Sequence, residues 1–133
     1  TPYVFSPGVT RAAFLLFPFR FDAAAFHGLT RSAFLNALHA EGVPCSSGYT
    51  PLNTMPFVQH AFQTKNFRRM YAAEELNYAA WLARTRCPEN DCLCREMVWL
   101  PQNLLLAERS AMDDIANAIE KIHAHADKLS AKG

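Results

Sequence analysis

The chain has 133 residues and a net charge of +1, with half of its residues apolar and 19% charged. This length and composition predict a single globular domain over residues 1–133 and exclude a disordered chain. The near-neutral charge excludes the strongly basic surface with which many proteins bind nucleic acid or acidic membranes.

No apolar run approaches the ~20 residues that a membrane-spanning helix requires. The longest such run, residues 12–21, is interrupted by Pro18 and Arg20. The first residues contain no methionine and no charged segment followed by an apolar one, so we expect no signal peptide. These features predict a cytoplasmic protein whose sequence begins inside a longer chain.

The N-terminal third predicts an extended lead-in followed by a strand. Residues 1–11 are rich in proline and glycine, which favours extended structure. Residues 12–22 are rich in phenylalanine and leucine, and phenylalanine alternates over residues 17–21, a period typical of a strand with one buried face. Pro18 cannot donate a hydrogen bond to a neighbouring strand, so it must lie at a sheet edge or a bulge. The predicted inward side chains are Phe17, Phe19 and Phe21.

A helix is predicted over residues 31–41. Thr30 has the side chain of an N-cap, and Gly42 is the expected C-terminal stop. A short strand at 43–45 and a loop over 46–56 follow. The apolar residues at helical spacing are Phe34, Leu35 and Leu38.

Residues 57–86 are predicted to be rich in helix. Pro88 suits the first position of a further short helix. Residues 97–100 then predict a second strand, which Pro101 ends, and residues 102–107 predict a turn or an extended piece. The apolar stripe expected in the helical region consists of Ala72, Ala73, Leu76, Ala79, Ala80 and Leu82.

The last predicted helix begins at Ser110, which forms a capping-box pattern with Asp113. Lys128 and Lys132 lie near its negative end. The order of elements predicts an α+β fold in which helices cover a small antiparallel or mixed sheet. The apolar face of the last helix consists of Met112, Ile115, Ala116, Ile119, Ile122, Ala126 and Leu129.

The four cysteines are predicted to be reduced and partly buried. In a helix starting at Pro88, Cys92 and Cys94 lie about 200° apart and point to opposite sides. Cys87 and Cys94 would be roughly 10 Å apart along that helix, beyond the ~7 Å limit for a disulfide. An alternative is a zinc site with Cys45 as fourth ligand, although this spacing matches no standard knuckle.

Other candidate sites have a structural interpretation that competes with a functional one. The five histidines are isolated or diverge on a helix, and no catalytic triad signature is present. Ser46, Ser47 and Gly48 could bind an anion through backbone N–H groups and hydroxyls. Trp81 and Trp99 are expected to pack in the core rather than against a ligand.

Several stretches resemble the DegT/StrS-type sugar aminotransferases, in the same order along nearly the whole chain. They are F-R-F-D (19–22), G-L-T-R-S-A-F (28–34), A-L-H-A-E-G-V-P (37–44), G-Y-T-P-L (48–52), F-Q-T-K-N-F (62–67), V-W-L-P-Q-N (98–103) and M-D-D-I-A-N-A-I-E-K-I (112–122).

This resemblance implies the small C-terminal domain of a fold-type-I enzyme that uses pyridoxal phosphate. Such enzymes hold the cofactor in a large N-terminal domain, which this chain lacks, through a Schiff-base lysine before a Gly-rich stretch. They move an amino group from glutamate or glutamine to a keto group on a nucleotide-linked sugar or a cyclitol. They act as homodimers in which both subunits contribute to each site.

The chain departs from the family pattern at two points. None of its lysines precedes a Gly-rich segment, so we expect no catalytic or cofactor-binding residue here and no pyridoxal phosphate bound to this fragment. Gly48 stands where many members have a histidine. The resemblance implies that Tyr49 lies next to the substrate. Further substrate-adjacent candidates are Ser46, Ser47, Gln102 and Asn103.

Three functions follow as hypotheses. The first is an aminotransferase domain that is inactive by itself. The second is a stand-alone ligand-binding or interaction module on the same fold, and the third is an unrelated small enzyme that uses Cys45 or a cluster of cysteines. An apolar N-terminal surface, including Tyr3, Val4, Phe5 and Phe14, further predicts that the chain self-associates.

Overall fold

A computed structural model describes residues 4–130, so the predictions that concern Pro2, Tyr3 and Lys132 lie outside the described residues. The chain divides into two compact units. The first unit comprises residues up to 48 and from 95 onward, and the second comprises residues 49–94. The prediction of a single domain stays a prediction. Among the described residues, no helix is both long enough and apolar enough to cross a membrane.

The first unit is built around two antiparallel strands. Strand β1 (Leu16–Arg20) pairs with β2 (Met97–Pro101), with Phe17 opposite Leu100 and Phe19 opposite Val98. The described part of the chain also contains seven α-helices, which are divided between the two units. The predicted α+β class is therefore confirmed.

Pro18 lies on a free edge of the sheet, as its chemistry requires. It stands opposite Trp99, whose backbone N–H and C=O bond to Ser46 on the far side of β2. Because hydrogen bonding alternates along an antiparallel pair, the nitrogen of Pro18 points away from β2 and no bond of the ladder is lost. The short strand predicted at 43–45 is reduced to the single bridge between Ser46 and Trp99.

Helix α1 (Arg31–Ala40) forms where the sequence predicts it. The Oγ1 of Thr30 accepts a hydrogen bond of 3.2 Å from the N–H of Ala33. Gly42 follows the helix with φ +83°, a left-handed conformation that glycine adopts without strain. Phe34 and Leu38 are fully buried, so this helix supplies the centre of the core.

The predicted last helix consists of α6 (Arg109–Ala124) and α7 (Ala126–Ser130), which are separated at His125. The predicted capping box at Ser110 is wrong. The helix starts one residue earlier, with Glu108 in the N-cap position and no side-chain cap, so Ser110 lies within the first turn. The predicted apolar face is largely correct, except that Ala116 is exposed.

The core of the first unit draws on every one of these elements. Its fully buried centre comes from α1, β2 and the loop that precedes α1, and α6 and α7 cover it. The buried residues are Phe21, Leu29, Phe34, Leu38, Val43, Val98, Leu100, Ala118, Ile122 and Ala126.

The second unit contains helices α2 (Pro56–Ala61), α3 (Lys65–Met70) and α4 (Tyr78–Arg84), and most of α5 (Pro88–Glu96). Short 3₁₀ helices cover Leu52–Thr54 in this unit and Gln102–Leu106 in the first unit.

The apolar stripe predicted between Ala72 and Leu82 is wrong. Residues 71–77 leave the helical conformation, because the side chain of Asn77 accepts from the N–H of Ala80 at 3.0 Å and starts a new helix. Aromatic rings pack together instead. The ring of Phe62 lies 5.2 Å from Trp81 and 5.5 Å from Tyr78, measured between centroids.

Candidate functional site

The loop of residues 46–48, hereafter the edge loop, lies along the outer edge of β2. The N–H of Ser46 donates to the carbonyl of Trp99 at 3.0 Å, and the N–H of Trp99 donates back to Ser46 at 2.9 Å. This reciprocal pair is the unit from which antiparallel sheets are built. The edge loop is therefore attached to the sheet through its backbone. The side chains of Ser46 and Ser47 take no part in this pairing and are exposed.

Arg31, in the first turn of α1, joins the edge loop to the start of β2. Its Nη1 donates to the carbonyl of Ser47 at 3.1 Å and to the carbonyl of Met97 at 3.1 Å. The side chain is half-buried, and hydrogen bonds from a charged donor are stronger than neutral ones. One guanidinium thus binds two segments that are distant in the sequence.

Gly48 ends the edge loop beneath the indole of Trp99. Its φ of +74° lies in the left-handed region, and a Cβ at this position would stand 3.2 Å from the indole Cε2 and 3.3 Å from Cζ2. Both observations favour glycine here. Trp99 is half-buried, and its ring lies against this glycine. It is not one of the buried residues of the core, where the sequence predicted it to pack.

Cys45 precedes the edge loop and is held by His39. The Nε2 of His39 lies 3.0 Å from the carbonyl oxygen of Cys45 and 3.3 Å from its backbone nitrogen. A protonated Nε2 donates to the carbonyl, and an unprotonated one accepts from the N–H. In either state, the imidazole retains a hydrogen bond to this residue.

The chemistry of Cys45 does not favour a nucleophile. Its thiol donates to the carbonyl of Leu35 at 3.7 Å, and burial raises the pKa of the Cys45 thiol. Since the thiolate is the reactive form, a raised pKa lowers reactivity at neutral pH. None of the four cysteines is in a disulfide; Cys45, Cys92 and Cys94 are half-buried, whereas Cys87 is exposed. Within residues 4–130, no group of three or more His, Cys, Asp or Glu is arranged to hold a metal ion.

The candidate substrate residues are divided between the two units. Ser46 and Ser47 belong to the first unit, as do Gln102 and Asn103, which are exposed in the 3₁₀ helix that follows β2. The backbone of Gln102 donates to the carbonyl of Leu15 at 3.1 Å, which extends the pairing of the two strands by one bond. Tyr49 begins the second unit and is 75% exposed.

Arg31 is the residue of this site that the sequence did not indicate. Its two contacts span 16 and 66 positions of the chain. A single basic residue after a helix N-cap gives no signal for such a contact, because helical spacing relates only residues three or four positions apart.

The described lysines do not fit the role of a Schiff-base lysine, which needs an amine in a desolvated site where its pKa is lowered. Lys65 and Lys128 are exposed on short helices. Lys121 is engaged in an ion pair with Glu41, with 2.8 Å between Nζ and the carboxylate.

Each unit also carries an apolar cavity. The cavity of the first unit, about 520 Å³, lies between β1, α1 and α6. The cavity of the second unit, about 390 Å³, is lined by its aromatic rings together with Glu75 and Arg84. Main lining residues are Phe17, Phe19, Phe34, Met112, Ile115 and Ile119 in the first, and Phe62, Phe67, Tyr71 and Trp81 in the second.

Comparison with known proteins connects the chain to one class of enzyme. No protein-family model matches it. The chain is 31% identical over 131 residues, 98% of its length, to L-glutamine:2-deoxy-scyllo-inosose aminotransferase from Streptoalloteichus tenebrarius. The chain spans about 30% of the length of that relative. The similarity supports an aminotransferase domain.

Proposed function

We propose that this chain is the C-terminal domain of a pyridoxal-phosphate-dependent aminotransferase. The amino group would pass from glutamine or glutamate to the keto group of a cyclitol or of a nucleotide-linked sugar. The observation that carries the proposal is the 31% identity, which extends along 98% of this chain, to an aminotransferase of this kind. The order of the matching stretches in the sequence supports the same function.

In this proposal the chain contributes a substrate-side wall and leaves the reacting groups to the rest of a longer protein. Ser46, Ser47, Gln102 and Asn103 carry hydroxyl and amide groups, which can donate to and accept from the hydroxyls of a cyclitol or sugar. Tyr49 is a separate candidate in the second unit. In this proposal the cofactor site lies in a larger N-terminal domain, and the complete protein acts as a homodimer.

The proposal is tested with the complete reading frame that contains this sequence. We expect it to encode an upstream lysine before a Gly-rich stretch. The purified protein should aminate 2-deoxy-scyllo-inosose or a nucleotide-linked keto-sugar with glutamine as donor, as followed by mass spectrometry. The 133-residue chain alone, given pyridoxal phosphate, should show no turnover. A reading frame without such a lysine, or a complete protein that aminates neither class of acceptor, would contradict the proposal.

A stand-alone ligand-binding module is the second candidate, and the two cavities favour it. Volumes of about 520 and 390 Å³ fall within the range typical of small-molecule sites. If this function is correct, the native reading frame begins near residue 1 of this sequence. The isolated chain should then bind keto-cyclitols or sugars without pyridoxal phosphate, which calorimetry would detect. A longer reading frame with transaminase activity rules this candidate out.

A further inference from the structure

The edge loop contains the proposed wall residues Ser46 and Ser47, and it has no regular secondary structure beyond its bridge to β2. Its geometry therefore depends on specific contacts. The reciprocal hydrogen bonds between Ser46 and Trp99 fix one end, and the close approach of Gly48 to the indole fixes the other. Ser47 lies between these two points.

The contact at Ser47 comes from Arg31. The guanidinium reaches the carbonyl of Ser47 and the carbonyl of Met97 through the same nitrogen, each at 3.1 Å. Arg31 lies directly after Thr30, the N-cap of α1, and α1 is anchored in the core by Phe34 and Leu38. Arg31 therefore lies on a helix that is fixed in the core, and this restricts the movement of its side chain relative to β2.

We infer that Arg31 is a positioning residue, which holds the edge loop so that the hydroxyls of Ser46 and Ser47 meet an uncharged, polyhydroxylated acceptor. This inference rests on the proposed function and narrows its substrate class to the keto-cyclitol. The exposed groups of this wall are hydroxyls and amides, with Gln102 and Asn103 as the others. The guanidinium of Arg31 donates to the backbone carbonyls of Ser47 and Met97, whereas a diphosphate-linked sugar is usually bound by basic side chains aimed at the phosphates.

The first experiment measures the geometry in the 133-residue chain. Hydrogen exchange at the amides of Ser46 and Trp99 should be faster in Arg31→Ala than in the wild type, because the loop then opens more often. The amide of Phe21, which bonds to the carbonyl of Glu96 at 2.8 Å on the other edge of β2, should be unchanged. Arg11→Ala, which removes an exposed arginine of the same unit, should leave all three rates as they are.

The second experiment measures catalysis in the complete protein. Arg31→Ala should raise the KM for the keto-cyclitol by roughly tenfold, while kcat and the KM for glutamine change by less than about threefold. Arg31→Lys keeps the charge but not the fork geometry, and it should restore part of the acceptor affinity. A purely structural role would lower the active fraction, and so kcat, without changing the KM. Should Arg31→Ala fail to fold, Arg31→Gln serves the same comparison.

The outcomes separate this inference from the proposed function. A complete wild-type protein without transaminase activity overturns both. An active wild type whose acceptor KM is the same in Arg31→Ala overturns only the role of Arg31, as do unchanged exchange rates at Ser46 and Trp99. An active wild type that prefers a nucleotide-linked keto-sugar overturns the substrate class.

Discussion

Gly48 lies where two requirements coincide, a left-handed backbone and a close approach to the ring of Trp99. The family that the sequence resembles often has a histidine at this position. With Trp99 in its present place, a side chain at residue 48 would have a strained backbone, and its Cβ would make a tight contact of 3.2 Å with the indole. A larger side chain at position 48 would therefore require the indole of Trp99 to shift.

Gly48→Ala should lower the free energy of unfolding by about 2 kcal/mol, from backbone strain and overpacking together. Gly42→Ala is the matched control, because Gly42 has φ +83° and no atom within 4 Å of its added Cβ. It should cost only about 1 kcal/mol, the backbone part alone. Urea denaturation of the two variants measures the difference. Equal losses would show that contact with Trp99 does not constrain residue 48.

Cys45 gives a pH-dependent contribution to stability. Burial raises the pKa of its thiol above the ordinary value of 9.0. The folded state then holds the proton more tightly than the unfolded state, so the stabilisation is present at lower pH and is lost as the pH rises through the raised pKa. Between neutral pH and the alkaline side of 9.0, the wild type should lose stability relative to Cys45→Ala. Parallel curves of unfolding free energy against pH would contradict this assignment.

At the scale of the element, α1 and α6 begin in different ways although both have a capping residue in the sequence. The Oγ1 of Thr30 accepts a hydrogen bond of 3.2 Å from the N–H of Ala33, whereas α6 has no side-chain cap. The difference arises because α6 starts before Ser110 and encloses it in its first turn. The stability of α6 therefore depends on its buried apolar face, through Ala118 and Ile122.

The two helix starts give a paired prediction. Thr30→Ala should lower the free energy of unfolding by about 1 kcal/mol, since an orphan N–H of α1 loses its partner. Ser110→Ala should leave stability within about 0.5 kcal/mol of the wild type. Thermal unfolding of both variants provides the measurement. A loss at Ser110 as large as that at Thr30 would mean that α6 begins where the sequence pattern alone places it.

At the scale of the whole molecule, each compact unit has its own kind of interior. The first unit has a fully buried core, whereas no residue of the second unit, 49–94, is fully buried. Its aromatic rings are half-exposed around a cavity. The N-terminal segment adds further exposed apolar side chains in the first unit, namely Val4, Phe5, Val9 and Leu15.

This exposure predicts that the isolated chain self-associates. Val4 and Leu15 are each 79% exposed, and exposed apolar surface favours association. The double variant Val4→Lys, Leu15→Lys should shift the chain towards monomer in sedimentation velocity. Leu106→Lys, at a site that is 76% exposed elsewhere in the unit, is the matched control and should have little effect. A strictly monomeric wild type at high concentration would count against the prediction.

The sequence by itself determined the local features of this protein. The alternation of Phe17, Phe19 and Phe21, the cap at Thr30 and the stop at Gly42 all predicted the correct elements, because each depends on residues only a few positions apart. The stretch at 71–77 was predicted as helix because alanine and leucine favour that state. A new N-cap at Asn77 and the packing of aromatic rings outweigh that preference.

The candidate site depends on contacts between residues that are distant in the sequence. The sequence indicated Ser46, Ser47 and Tyr49 through resemblance, but it gave no sign of Arg31 or of the approach of Trp99 to Gly48. These contacts join the edge loop to α1 and to β2, and the bond from Arg31 to Met97 spans 66 positions. Only the tertiary structure decided them, because partners so far apart become neighbours only after β1, β2 and α1 have closed around one core.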